Sequence, residues 1–121
     1  MARQMITPAA VGQALADIRA GALTGAAQRD AVRTTLRWFA QVHEGHTVEI
    51  RVPPYAAVQA VPGPRHTRGT PPNVIEMPAA AWLALVVGDL SWADAVESGV
   101  VHASGIRADL ENLLPLVPPT A

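Results

Sequence analysis

Two arginines and a histidine fall within four consecutive residues near the middle of the chain, at Arg65, His66 and Arg68. A guanidinium group binds a carboxylate or a phosphate through paired hydrogen bonds, so side chains of this type can hold an anion. They lie in residues 62–73, where six of the twelve residues are Pro or Gly. We predict that these three side chains contact the charged head group of a ligand. The alternative is that they donate hydrogen bonds to backbone carbonyls of the loop and so fix the loop to the protein. The carbonyls of a long loop need such partners because they are not paired with a neighbouring strand.

Other candidates for catalysis or metal binding are weak in this sequence. His43 and His46 are three residues apart, a spacing at which two histidines can bind one metal ion. The sequence places no third ligand beside them. Histidines near the C-terminal end of a helix are also stabilised in their charged form by the helix dipole. The chain has no Cys and no Lys, and it contains no nucleophile-elbow or phosphate-loop motif. We therefore expect no metal, no cofactor and no catalytic residue, and so no enzyme.

The composition limits the class of protein. Half of the 121 residues are apolar and 16% are charged, which excludes a disordered chain and indicates one folded domain. The formal net charge of −1 provides no basic surface for phosphates, so we expect no nucleic-acid partner. The longest apolar run is residues 78–87, whereas a membrane span needs about 18 residues. Because no apolar leader follows Met1, we expect a cytoplasmic protein without integral membrane contact.

Helical periodicity dominates the first third of the chain. Thr7 followed by Pro8 is typical of a helix start. The first helix is predicted by apolar residues on one face, at Val11, Leu15 and Ile18. The second helix is predicted in the same way, by Val32, Leu36, Phe39 and Val42. Both helices are expected within residues 7–45.

The sequence changes to strand periodicity at residue 47. Val48, Ile50 and Val52 alternate with Glu49 and Arg51, which predicts a strand with one buried face. Further strands are predicted at 55–61, 73–77 and 100–104, and further helices at 78–87, 91–99 and 109–114. We treat residues 1–121 as a single domain, with the sheet and its helices in 47–117 and a loose tail at 118–121.

This order of elements predicts an α+β fold, in which a mainly antiparallel sheet of four or five strands has helices packed on one face. The helix at 78–87 is apolar on nearly every side, which is typical of a helix buried on more than one face. Six large apolar side chains are predicted to lie in the core or to line an apolar pocket: Trp82, Leu83, Leu85, Val86, Trp92 and Leu113.

Several segments, taken together, resemble one protein family. They are residues 51–59, 63–72, 73–76, 82–83, 90–96, 98–99, 103–105, 107–110 and 114–116. Over about residues 47–117 the chain resembles the small actinobacterial proteins called sterol carrier family proteins. The resemblance implies a five-stranded antiparallel sheet with helices over one face and an apolar tunnel between the two layers. The residue pattern by itself predicts four strands.

The resemblance also implies a function. The expected protein binds or carries a lipid or another apolar small molecule in an internal pocket, without catalysis. One alternative is a protein-interaction or dimerisation module with a collapsed core, for instance a homodimer. Another is a helper domain linked to a mycothiol-dependent enzyme. A pocket of about several hundred Å³ separates a carrier from an interaction module.

Overall fold

Two helices come before a group of strands, and two shorter helices separate the last strand from the others. The computed structural model describes residues 5–21, 23–63 and 73–116. The elements are α1 (Pro8–Ala20), α2 (Gly25–Val42), β1 (Val48–Val52), β2 (Ala56–Ala60), β3 (Val74–Glu76), α3 (Ala79–Val87), α4 (Trp92–Glu97), β4 (His102–Ser104) and a 3₁₀ turn at Glu111–Leu113. The predicted α+β class is confirmed.

Local capping sets where two of the helices begin. Thr7 Oγ1 accepts a hydrogen bond of 3.1 Å from the backbone N–H of Ala10 at the start of α1. Ser91 Oγ accepts one of 3.1 Å from the N–H of Asp94 at the start of α4. Both caps satisfy N–H groups that have no partner inside the helix. The sequence pattern correctly predicted both starts.

The four strands form one mixed sheet in the order β2-β1-β3-β4. The pairs β1–β2 and β3–β4 are antiparallel, and β1–β3 is parallel. The prediction of a mainly antiparallel sheet is therefore confirmed, whereas the wholly antiparallel sheet implied by the resemblance is not. The physical reason is the connection after β2. The last residue of β2 and the first residues of β1 and β3 lie at the same end of the strands. A strand that starts at this end beside β1 runs parallel to β1, as β3 does.

The two faces of the sheet differ in polarity. Val48, Ile50, Val52 and Ile75 point into the core, which also contains buried residues of α1, α2 and α3. The opposite face carries charged residues, among them Arg51, whose Nη2 lies 2.8 Å from Glu49 Oε1. This one-sided burial agrees with the alternation predicted for residues 48–52.

The C-terminal elements are shorter than predicted. Strand β4 covers three residues, although 100–104 was expected, and the predicted helix at 109–114 is only the 3₁₀ turn. Leu114 is extended (ψ 150°) because the residue before a proline avoids helical geometry. No helix of the described chain combines the length and apolarity needed to cross a lipid bilayer.

Candidate functional site

Five of the six predicted core or pocket residues are buried in the apolar core. Trp82, Leu83, Leu85, Val86 and Trp92 belong to one apolar cluster, while Leu113 is half-buried against it. The ring of Phe39 meets Trp82 edge to face, with ring centres 5.8 Å apart. The core prediction holds for these five residues. That the six line a ligand pocket stays a prediction.

A polar group lies inside this core and was missed by the sequence analysis. Trp82 Nε1 donates a hydrogen bond of 2.9 Å to Thr35 Oγ1. Thr35 Oγ1 in turn lies 2.7 Å from the backbone carbonyl oxygen of Ala31, to which it donates. Thr35 is fully buried on the face of α2 that also carries Leu36 and Phe39. The sequence signal for this buried polar group was Thr35 itself, a polar residue on a helix face that was otherwise predicted to be apolar.

Replacing Thr35 with valine is expected to lower the free energy of unfolding by about 1–3 kcal/mol, because the indole N–H of Trp82 would be buried without a partner. Thr34→Val is the matched control, since Thr34 is half-buried on the same helix. Urea denaturation of the two variants measures the difference. Equal stability of the two variants would contradict a structural role for the Trp82–Thr35 bond.

A cleft of about 420 Å³ lies between α2 and the edge strand β2, and we call it the helix-edge cleft. Its floor and walls include apolar side chains such as Ile6, Ala40 and Val58. The remaining lining residues are Met5, Arg37, Gln41, Glu44, Ala57 and Gln59. The cleft thus opens at the boundary between the helix layer and the sheet, where the resemblance implies a tunnel.

One side chain fixes the N-terminal wall of the helix-edge cleft. Gln41 Oε1 accepts a hydrogen bond of 2.9 Å from the N–H of Ile6, and Gln41 Nε2 donates one of 3.0 Å to the carbonyl of Ile6. Arg37 lies one turn before Gln41 on α2, and Glu44 lies two residues after the helix ends at Val42. Within the described chain Arg37 makes no ion pair. The cleft therefore has an apolar floor and a polar rim with an available cation.

A second cleft, of about 330 Å³, lies at the end of the sheet where β1 and β3 begin. We call it the turn cleft. Its lining residues are Thr47, Val61, Pro62, Ile106, Arg107, Asp109, Asn112 and Leu113. Of the six predicted pocket residues, all of which are described by the structure, Leu113 lines the turn cleft and the other five line neither cleft.

Asn73 holds the turn cleft together. Its Nδ2 donates a hydrogen bond of 3.0 Å to the carbonyl of Thr47, and its Oδ1 accepts one of 2.9 Å from the N–H of Arg107. Gly63 also packs here, since a Cβ at this position would lie 2.8 Å from Thr47 Oγ1. Both residues that flank segment 64–72 therefore lie at this cleft. The predicted head-group residues Arg65, His66 and Arg68 lie outside the described residues.

The two histidines that follow α2 have different surroundings. The His43 ring packs against Phe39 with ring centres 4.7 Å apart, and burial lowers the pKa of His43 because the charged ring loses hydration. Burial therefore opposes the charged, dipole-stabilised state considered from the sequence for His43. His46 Nδ1 instead lies 2.7 Å from Gln59 Oε1. Among the described residues no group of three His, Asp or Glu side chains is arranged for a metal ion.

The family of this chain follows from its similarity to known proteins. A family model described as a bacterial SCP ortholog matches residues 25–116. The chain belongs to this bacterial sterol-carrier-like family. A search among curated proteins gave no match. The region shared with the sterol-carrier-like family starts with α2 and includes all four described strands and the turn cleft, whereas α1 and the Met5–Ile6 wall of the helix-edge cleft precede it.

Proposed function

We propose that this sterol-carrier-like protein binds a lipid or another apolar small molecule in the helix-edge cleft and catalyses no reaction. The observation that carries the proposal is the position of this cleft between the helix layer and the sheet, in a chain of this family. Its volume of about 420 Å³ falls in the range of small-molecule pockets. The proposal places the protein in the cytoplasm of an actinobacterium, without nucleic acid or cofactor.

The lining of the helix-edge cleft supports an amphipathic ligand. An aliphatic chain placed over Ile6, Ala40 and Val58 loses contact with water, and each buried CH₂ contributes about 0.8 kcal/mol. Arg37, Gln41 and Gln59 surround this floor with groups that bind polar atoms. Apolar burial thus supplies most of the binding free energy, while the polar rim sets the orientation of the ligand.

The head-group proposal for Arg65, His66 and Arg68 is compatible with this location. Gln59 of the helix-edge cleft and Val61 of the turn cleft are two residues apart along the chain, which is about 7 Å in an extended backbone. In addition, Thr47 Oγ1 is buried without a hydrogen-bond partner among the described residues. A buried hydroxyl without a partner is costly, so a polar group of the ligand or of segment 64–72 would stabilise it.

Filling the helix-edge cleft tests the proposal. We expect Ala40→Trp to weaken binding of a dansyl-labelled undecanoate probe at least about tenfold, because the indole occupies the apolar floor. Ala27→Trp, at an exposed position of the same helix, is the matched control and is expected to bind like the wild type. Ala40→Leu fills less of the space and keeps the test valid if tryptophan disturbs folding. Equal probe affinity in all four proteins, measured by fluorescence titration, would refute this site.

A second candidate function has one observation in its favour. Trp82, Val86 and the other buried side chains of the described chain pack into one apolar core cluster. A filled core is what the interaction-module alternative requires. If the probe does not bind at all, interaction with a protein partner becomes the better account.

A further inference from the structure

The hydrogen bonds between β1 and β3 determine which backbone groups of β1 are directed at β2. The N–H of Glu49 donates a hydrogen bond of 3.0 Å to the carbonyl of Asn73, which directly precedes β3. The carbonyl of Arg51 accepts one of 3.1 Å from the N–H of Met77, which directly follows β3. Successive residues of a strand direct their backbone groups to alternate sides. Glu49 and Arg51 therefore bond on the β3 side, and the residues that alternate with them bond β2.

The same alternation leaves the backbone groups of Ala57 and Gln59 without a strand partner in the described sheet. These two residues of β2 lie opposite Arg51 and Glu49, so their N–H and C=O groups point away from β1. Strand β2 is the first in the sheet order, and no described strand pairs with its other side. Ala57 and Gln59 both line the helix-edge cleft. The wall of this cleft therefore presents backbone donors and acceptors of a strand edge.

Helix α2, which forms the opposite wall of the cleft, runs beside β2 in the same direction. Arg33 Nε donates a hydrogen bond of 3.0 Å to the carbonyl of Tyr55, directly before β2. The carbonyl of His43 accepts one of 2.6 Å from the N–H of the residue directly after β2. Arg37 lies one turn after Arg33 on α2. The cation of the cleft is therefore nearer to the start of β2, where Ala57 lies, than to its end.

We propose that the helix-edge cleft binds an N-acylated amino acid, whose amino-acid part pairs with Ala57 as a strand of one residue. This inference rests on the proposed function and names the chemical class of the ligand. In a hydrogen-bonded antiparallel pair, two residues exchange both of their backbone hydrogen bonds. The N–H of the ligand thus donates to the carbonyl of Ala57, and the carboxylate of the ligand accepts from the N–H of Ala57. A simple fatty acid has no N–H for the first of these bonds.

Antiparallel pairing places both ends of such a ligand beside matching groups of the cleft. The carboxylate lies toward the start of β2, where Arg37 provides a guanidinium group that makes no ion pair within the described chain. The acyl chain runs toward the end of β2, over Val58 and Ala40. Glu44 follows the end of α2 and so lies away from the carboxylate. Laurate has no amide and is not held in this direction, so its carboxylate is left to the head-group residues proposed above.

The test compares lauroylglycine with O-lauroylglycolate, an ester analogue in which an oxygen atom replaces the amide N–H group. The two ligands have the same tail, length and charge. In competition with the dansyl-labelled undecanoate probe, we expect lauroylglycine to bind at least about fivefold more tightly, because only its N–H donates to Ala57. Arg37→Gln is expected to weaken lauroylglycine at least about tenfold and to change the affinity for laurate less than about twofold. Arg29→Gln, on the same helix but outside the cleft, is the matched control and is expected to change neither.

Three results would overturn the proposal. The first is equal affinity for the amide and the ester, or no displacement of the probe by lauroylglycine. The second is an equal loss of affinity for lauroylglycine and laurate in Arg37→Gln, which would show that the amide does not set the direction of the ligand. The third is an equal effect of Arg37→Gln and Arg29→Gln. In each case, probe binding that Ala40→Trp weakens would leave the proposed function intact, whereas equal probe binding by wild type and Ala40→Trp would refute that function as well.

Discussion

Replacing Leu85 with alanine is expected to lower the free energy of unfolding by about 2–5 kcal/mol. Leu85 lies on α3, is 1% exposed and belongs to the main apolar cluster. Its removal deletes buried methyl groups and leaves a cavity that the neighbouring side chains close only in part. Urea denaturation followed by far-UV circular dichroism measures the change.

Val87→Ala is the matched control for Leu85→Ala. Val87 lies on the same helix but is only half-buried, so its truncation is expected to cost less. If Leu85 lined a ligand pocket, as one version of the sequence prediction has it, its truncation would cost less than about 2 kcal/mol and would change the affinity for the probe. Unchanged stability together with unchanged probe binding would contradict both the core role and the pocket role.

Arg65→Ala is expected to weaken the binding of laurate about ten- to a hundredfold. The loss of one charge-assisted hydrogen bond of about 1.5–3 kcal/mol accounts for a change of this size. Lauryl alcohol has the same tail and no charge, so its affinity is expected to stay nearly constant. Competition with the dansyl-labelled probe measures both affinities.

Arg29→Ala is the control for the removal of a cation. Arg29 has a side chain that is 43% exposed, its Nε lies 3.2 Å from Asp30 Oδ1, and it lines neither the helix-edge cleft nor the turn cleft. If Arg65 only fixes its loop, Arg65→Ala would lower the melting temperature and would weaken both ligands equally. That combination would remove the head-group assignment.

Much of the fold could be predicted from local patterns. The alternation at Val48, Ile50 and Val52 identified β1 and its buried face, because side chains in a strand point to opposite faces. Ser91 identified the start of α4, since its hydroxyl caps the N–H of Asp94. These features depend on residues that are close in sequence, and a single sequence displays them directly.

The features that depend on distant residues could not be predicted. The parallel pairing of β1 with β3 results from the path of the chain after β2, which no local period encodes. Gln41 and Ile6 are 35 residues apart, and their paired hydrogen bonds close one wall of the helix-edge cleft. The predicted pocket residues were selected for apolarity, which also selects for the core. For this reason the sequence identified the core around Trp82 and missed the helix-edge cleft.

Native mass spectrometry of the gently purified protein, before and after addition of laurate, tests the central claim most directly. The wild type and Ala27→Trp are expected to show a species heavier than the bare chain by the mass of one lipid-sized molecule. In Ala40→Trp this species is expected to be strongly reduced, because the indole occupies the floor of the helix-edge cleft. Only the bare mass in every protein, even with excess laurate, would contradict the claim that this chain binds an apolar molecule.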